Sequence, residues 1–302
     1  MYLRRAAAKA AVFGIAAGLL SFATRADGSP YRLAIEKWRQ AYEANLKSDN
    51  GWLTVSGLFW LHEGENSFGS GPLNDIVLPA PAPPAAGSFE FHAGRTIVHV
   101  KPEVPAAFHG QRVSSAEMHA DVDSDQLVLG DLTLYVHLSG ERYTIRLRDK
   151  NSRLRKDFTG TRWFPVDESY RVTGRFVPYD KPKQIQVQNV MGDTLRETIP
   201  GYAVFSLHGQ ELRLDAEVQD SGLFIVFRDL TSGHETYGAS RFLDTQLPKD
   251  GQVILDFNQA YNPPCAYNPY TTCPLPPPQN RLRVRIGAGE KVYPHAHRAG
   301  GN

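Results

Sequence analysis

The chain has 302 residues, with 33 Lys and Arg against 32 Asp and Glu, and a formal net charge of +1. Because this balance is even and no basic stripe stands out, composition gives no support for nucleic-acid binding. A chain of this length can bury a large core without many cross-links, so its two cysteines are not the framework of a disulfide-rich mini-protein.

The N-terminus has the pattern of a secretory signal peptide. Basic residues precede an apolar run over residues 10–20, and Ser21 and Ala23 fit a cleavage site, with Ala26 as a second choice. The run is too short to span a hydrocarbon core of about 30 Å. We predict a signal peptide over residues 1–26, a periplasmic or secreted protein, and no transmembrane segment in the mature chain. An uncleaved anchor is the alternative.

Residues 31–50 predict an amphipathic helix. Apolar residues recur at spacings typical of one helical face: Ile35, Trp38, Tyr42 and Leu46. We expect its aromatic residues to dock on the body of the protein.

The rest of the chain predicts β-structure in two domains, residues 51–150 and 160–293, before a disordered tail at 294–302. Short runs such as "RTIVHV", "RYTIRLR" and "RLRVRIGAG" are rich in β-branched and apolar residues. "LFIVF" is continuously apolar, which is typical of a strand buried on both faces. The predicted fold class is all-β: an N-terminal helix, a β-sandwich, and a second antiparallel sandwich or barrel.

The first β domain resembles the forkhead-associated β-sandwich. "EGENSFGSGPLNDIVLP" is similar to the opening of that family, and "QLVLGDLTLYVH" to a late strand. The family binds phosphothreonine through an Arg, whose position here is Ser70, and through a Ser three residues before a His. Here Ser88 lies four residues before His92. The resemblance therefore implies the fold without phosphothreonine binding.

A second resemblance spans nearly the whole mature chain. "GWLTVSGLFWLHEGEN", "RWFPVD", "YGASRFLD" and "TCPLPPPQNRL" resemble a bacterial family known as domain of unknown function 1684. The resemblance implies one evolutionary unit over residues 51–290 and brings no established activity.

No standard catalytic, nucleotide-binding or metal-ligand motif occurs in the sequence. We therefore predict no cofactor and no metal site, name no catalytic residue, and leave open whether the protein is an enzyme.

A polar cluster near the proline-rich loop 262–280 is the candidate ligand site. Arg can clamp a carboxylate or phosphate, Asn can donate and accept at once, and Trp can supply a stacking wall. The candidate residues are Trp163, Arg241, Asp256, Asn258, Asn262 and Asn280. Asp256 and Asn258 are expected to alternate on one strand face. The structural alternative is that Arg241 pairs with Asp256, Arg281 pairs with Glu290, and the Asn residues belong to turns.

Cys265 and Cys273 both lie in this loop. We predict a disulfide that closes a small loop and contributes roughly 2–3 kcal/mol. Catalytic or metal-binding thiols, or inert free thiols, are the alternatives.

The favoured function is binding of a small molecule or peptide near the proline-rich loop. One alternative is an envelope or extracellular hydrolase that uses Asp256 or Asp167 as its base. Another is a structural scaffold.

Overall fold

The computed structural model describes residues 28–219 and 222–295. The predicted signal peptide and residues 296–302 of the predicted tail lie outside these ranges. In the described part of the chain, none of the helices combines the length and apolar character needed to cross a membrane.

The long helix α1 spans Pro30–Leu46. Ser29 caps it by accepting a hydrogen bond from the Arg32 amide. The helix ends before the predicted residue 50 because residues 47–51 form turns. Ile35 and Leu46 are buried while Trp38 and Tyr42 are half-buried, so the predicted docking face is confirmed.

The first β unit is a sandwich of two sheets. One sheet has the strand order β1-β11-β10-β9-β6-β7 and the other β3-β2-β4-β5-β8. Their facing side chains, including Phe68, Phe89, Leu134 and Ile145, form one buried core. The strands are β1 Val55–Trp60, β2 Gly64–Gly69, β3 Ile76–Val77, β4 Gly87–His92, β5 Arg95–Val100, β6 Ala107–Phe108, β7 Gln111–Arg112, β8 Ser115–Met118, β9 Gln126–Leu129, β10 Leu132–Ser139 and β11 Arg142–Asp149.

A short helix, α2 (Arg153–Lys156), connects this sandwich to a second, antiparallel unit of six strands. The order is β16-β15-β14-β13-β12-β17. The edge strands approach each other, and Thr245 Oγ1 donates to Ile254 O at 2.6 Å, so the sheet is nearly closed into a barrel. The strands are β12 Arg171–Gln188, β13 Thr194–Leu207, β14 Gln210–Gln219, β15 Gly222–Phe227, β16 Arg241–Gln246 and β17 Gln252–Asp256.

Within the described residues, no strand follows β17. The expected strand "RLRVRIGAG" is wrong: Arg281 makes an isolated bridge to Arg228, and the segment is otherwise irregular. Prolines before it lack the amide hydrogen that a strand ladder needs. This segment covers the barrel instead of joining its sheet.

The proline-rich loop lies between α1 and the outer face of the barrel. Phe224 and Val226 of β15 point into this layer, whereas Leu223, Ile225 and Phe227 point into the barrel core. The prediction that "LFIVF" is buried on both faces is therefore confirmed. Cys265, Ala266 and Tyr267 are almost fully buried, so this part of the loop is an inner layer of the fold.

Candidate functional site

Arg241 is a structural ion pair in this fold. Its side chain is fully buried and donates to Asp229 Oδ2 at 2.7 Å, to Ile286 O at 3.1 Å, and to Ala288 O. Burial lowers the pKa of Arg241, and the neighbouring Asp229 carboxylate opposes that shift. The expected Arg241–Asp256 pair is not formed, and Arg241 instead holds the C-terminal segment against the barrel.

Asp256 and Asn258 do lie together, but not on a strand face. Strand β17 ends at Asp256, whose carboxylate caps a 3-10 turn by accepting from the Asn258 amide at 3.1 Å. The Tyr31 hydroxyl donates to Asp256 at 2.9 and 3.0 Å. Asn258 Nδ2 donates to Tyr31 Oη and to Asp167 O, and its Oδ1 accepts from the Asp167 amide. The expected alternation is wrong because a side-chain cap ends the strand.

Asn280 and Asn262 each tie a covering segment to its neighbours. Asn280 donates to Asp215 O and Val226 O at 2.8 and 2.9 Å and accepts from the Asp215 amide. It thereby bridges β14 and β15. Asn262 Nδ2 donates to Lys291 O at 2.8 Å.

Trp163 is half-buried, and its indole nitrogen donates to Thr161 Oγ1 at 2.8 Å. Its ring meets Trp38 of α1 edge to face. Asp256 and Asn262 line different cavities, so the six predicted residues do not converge on one ligand.

A buried carboxyl, Glu290, was not among the predicted site residues. It accepts from the Asn262 amide at 2.8 Å and from the Tyr267 hydroxyl. Burial raises the pKa of Glu290 to about 7. The expected Arg281–Glu290 pair is not formed. Nothing in the sequence around Glu290 indicates this role, since its partners come from the distant proline-rich loop.

The expected Cys265–Cys273 disulfide is absent, and both residues are buried free thiols. The Cys265 amide donates to Cys273 Sγ at 3.2 Å, so the two residues meet through a hydrogen bond. Burial raises the pKa of the Cys265 thiol, which is the opposite of what a reactive nucleophile needs. The loop is held by packing and by the Tyr267 and Asn262 contacts.

A groove at the C-terminal end of the proline-rich loop contains charged side chains without an ion-pair partner among the described residues. We call it the cationic groove; its volume is about 860 Å³. Arg228 and Arg281 are its charged residues, and no Asp or Glu lines it. Leu275 and Pro276 of the proline-rich loop form one wall.

The backbone places the two arginines side by side. The Arg228 amide donates to Asn280 O at 3.0 Å, and the Leu282 amide donates to Arg228 O at 2.8 Å. Neither guanidinium has an ion-pair partner among the described residues; Arg281 Nε makes one long bond, 3.4 Å, to Pro276 O. Two adjacent cations therefore face a space to which the described residues bring no counter-charge.

The remaining walls of the cationic groove are mostly apolar or already satisfied. The Tyr237 hydroxyl donates to Cys265 O at 3.2 Å, and the side chain is buried, so its ring forms an apolar part of the wall. Val292 and Tyr293 line the groove from the C-terminal segment. The arrangement offers cationic donors beside an apolar wall, which is the usual composition of a small-ligand site.

No group of three or more His, Cys, Asp or Glu residues within the described ranges could hold a metal ion. The sequence singled out Arg241 and missed Arg228. Only the long-range pairing of residues 228 and 281 identifies the groove.

Comparison with known proteins gives a family without an assigned activity. Residues 156–291 match the model of a family described as "Protein of unknown function (DUF1684)". An uncharacterized protein of Haloarcula marismortui, solved by solution NMR, is 34% identical over 45% of this chain and 78% of its own, with a TM-score of 0.39. No curated protein matches the chain. The matched residues include the whole second β unit. Over this region the chain matches the family of unknown function DUF1684.

Proposed function

We propose that the protein binds a small anionic ligand, a carboxylate or a phosphate, in the cationic groove. One observation carries the proposal: Arg228 and Arg281 are adjacent, line the same groove, and lack a carboxylate partner among the described residues. A guanidinium presents a planar fork of donors that matches the oxygens of either anion.

The shape of the groove suits such a ligand. Its volume of about 860 Å³ lies within the range of small-molecule sites. The anionic end would meet the two guanidinium groups, and the carbon part would lie against Leu275, Pro276 and Tyr237. Because these walls are fixed by the buried loop, little conformational entropy would be lost on binding.

A binding function accounts for these contacts better than hydrolysis. Hydrogen bonds from Ser169 lower the pKa of Asp167, and Asp256 is occupied by Tyr31 and Asn258. Both carboxylates already accept hydrogen bonds, which argues against either as the general base of a hydrolase. A pure scaffold would have no use for two uncompensated arginines in a groove.

Two further predictions from the sequence accompany this proposal. From the signal-peptide pattern of residues 1–26 we expect the protein to meet its ligand in the periplasm or outside the cell. We propose no phosphothreonine binding from the forkhead-associated resemblance of the first sandwich. The His92 ring lies 3.1 Å from the Glu63 carboxylate and 3.7 Å from that of Glu90, and these carboxylates would repel a phosphate.

The test is calorimetric titration of the purified chain with inorganic phosphate, succinate and citrate, with neutral succinamide as the uncharged counterpart. We expect saturable binding of at least one anion and none of succinamide. Arg228→Gln or Arg281→Gln should weaken binding about tenfold or more, because each removes a charge-assisted hydrogen bond.

Arg283→Gln is the matched control, since Arg283 is an exposed arginine of the same segment that does not line the groove. It should leave binding unchanged. The proposal fails if no anion binds, or if Arg283→Gln weakens binding as much as Arg281→Gln.

A further inference from the structure

A second cavity, about 480 Å³ in volume, lies at the opposite end of the proline-rich loop, where Asn262 and Pro264 form part of its wall. We call it the aromatic pocket. Six aromatic side chains from five parts of the chain line it: Trp38, Tyr42, Trp52, Phe224, Phe242 and Tyr261. No Lys, Arg or His is among its lining residues.

The rings form a connected wall. Trp38 and Tyr42, one turn apart on α1, stack with centroids 5.6 Å apart and planes 11° apart. Tyr261 tilts against Tyr42 at 5.2 Å and meets Phe242 edge to face at 5.8 Å. Such a wall presents several electron-rich ring faces to one small volume.

Asp244 is the one charged residue that lines the aromatic pocket. It accepts from the Tyr261 hydroxyl at 2.8 Å, which fixes the carboxylate beside the rings. It has no ion-pair partner among the described residues, although Arg171 and Lys249 line a neighbouring groove that Asp244 also borders. Although the residue is exposed, partial loss of hydration around its carboxylate raises the pKa of Asp244.

Arginines already lie near two of the surrounding rings, but not in the pocket. Arg146 and Arg148 approach Trp52 at 5.6 and 5.8 Å, and Arg39 lies 4.7 Å from Trp163. None of the three arginines lines the pocket. Trp38, Tyr42 and Tyr261 have no cation over their rings in the described structure. These rings pack against one another and against Trp163, so a ligand would meet the parts of them that line the pocket.

We propose that the aromatic pocket binds a small organic cation of the quaternary or methylated ammonium class, with Asp244 as its counter-charge. Aromatic faces attract cations through their quadrupoles, and weakly hydrated methylated cations lose least on leaving water. A primary ammonium would need several acceptors to replace its water, and Asp244 is the one charged acceptor that the walls supply. The pocket therefore complements the cationic groove with the opposite preference for charge.

The test follows tryptophan fluorescence during titration with choline, tetramethylammonium and ethanolamine, since Trp38 and Trp52 line the pocket. We expect millimolar or tighter binding of choline and tetramethylammonium, with ethanolamine at least fivefold weaker, because a primary ammonium is more strongly hydrated. Asp244→Asn should weaken choline binding at least fivefold, and Trp38→Leu more strongly.

Asp250→Asn is the matched control, because Asp250 is an exposed carboxylate outside the pocket whose φ of 52° suits Asn. It should leave choline binding unchanged. Near-ultraviolet circular dichroism of each variant checks that the fold is retained, and the Asp244→Asn and Asp250→Asn pair carries the test if Trp38→Leu unfolds. Absence of choline binding, or equal binding of ethanolamine, would overturn the proposal. An effect of Asp250→Asn equal to that of Asp244→Asn would also overturn it.

Discussion

The cationic groove and the aromatic pocket lie at the two ends of the same proline-rich loop, yet their chemistry is opposite. The groove has Arg228 and Arg281 and no carboxylate, whereas the pocket has six aromatic rings, Asp244 and no cation. The loop itself contributes little of this contrast, since Leu275, Pro276 and Pro264 are apolar at both ends. The partners that the fold brings to each end decide the chemistry.

In the groove, Arg228 directly follows β15. In the pocket, Trp38 and Tyr42 belong to α1 and Phe242 belongs to β16. The loop between them is a buried spacer that keeps the two cavities apart. A network of Tyr42, Tyr267, Asn262 and Glu290 fixes the pocket end, and Arg241 with Asp229 fixes the C-terminal segment. Substitutions at these fixed points should therefore have the largest effects on the two cavities.

Loss of Arg241 should disturb both cavities at once. Its partners Ile286 and Ala288 precede Val292 and Tyr293 of the groove, and the next residue, Phe242, lines the pocket. Arg241→Met leaves Asp229 buried without a counter-charge, so we expect the free energy of unfolding to fall by about 3–5 kcal/mol. Urea denaturation followed by tryptophan fluorescence measures this loss.

A second variant separates the charge effect from the packing effect. Adding Asp229→Asn to Arg241→Met removes the unpaired carboxylate and should restore part of the lost stability. A stable Arg241→Met protein, or a double variant no better than the single one, would contradict the role of this pair.

Glu290 should make the stability of the protein depend on pH. Its folded pKa, about 7, lies above the unfolded value of 4.5, so the folded chain holds the proton more tightly. Stability from this group is therefore fully present below pH 4.5 and is lost as the pH rises through 7, by about 3 kcal/mol in total. Glu290→Gln keeps an oxygen that can accept from the Asn262 amide. It should remove this part of the pH dependence of the free energy of unfolding.

Glu217 titrates in the same window, because burial, with a contribution from Glu197, raises its pKa to about 7. Glu217→Gln is therefore the necessary companion variant: each single change should flatten part of the curve, and both together should flatten more of it. Unfolding free energies measured from pH 4 to pH 8 decide this. An unchanged slope in Glu290→Gln would contradict the buried, proton-sensitive role of Glu290.

The spacing of apolar residues correctly predicted those elements that neighbouring residues determine by themselves. The spacing of Ile35, Trp38, Tyr42 and Leu46 gave the docking face of α1, and the run "LFIVF" gave a strand buried on both sides. In both cases the periodicity of apolar residues is set by the element itself.

The candidate site could not be obtained in this way. Asp256 and Asn258 fit a strand by alternation, but a carboxylate that caps its own backbone ended the strand. Polar residues near the loop, such as Arg241 and Asn280, proved to be satisfied by the backbone of distant segments. Arg228 and Asp244 carry no local signal, because what distinguishes them is the lack of an ion-pair partner among the described residues, which only the three-dimensional structure shows.

The smallest expected effect tests whether the two cavities are independent. We expect Arg228→Gln combined with Arg281→Gln to abolish phosphate or carboxylate binding while the affinity for choline stays within about twofold. Asp244→Asn should weaken choline binding at least fivefold while the affinity for the anion stays within about twofold. In the wild-type chain, choline measured at saturating anion should bind as it does without anion, because the buried loop separates the sites and salt screens charges beyond about 10 Å. A change of tenfold, about 1.4 kcal/mol, in choline affinity on anion binding would show one coupled site that receives both ends of a zwitterionic ligand.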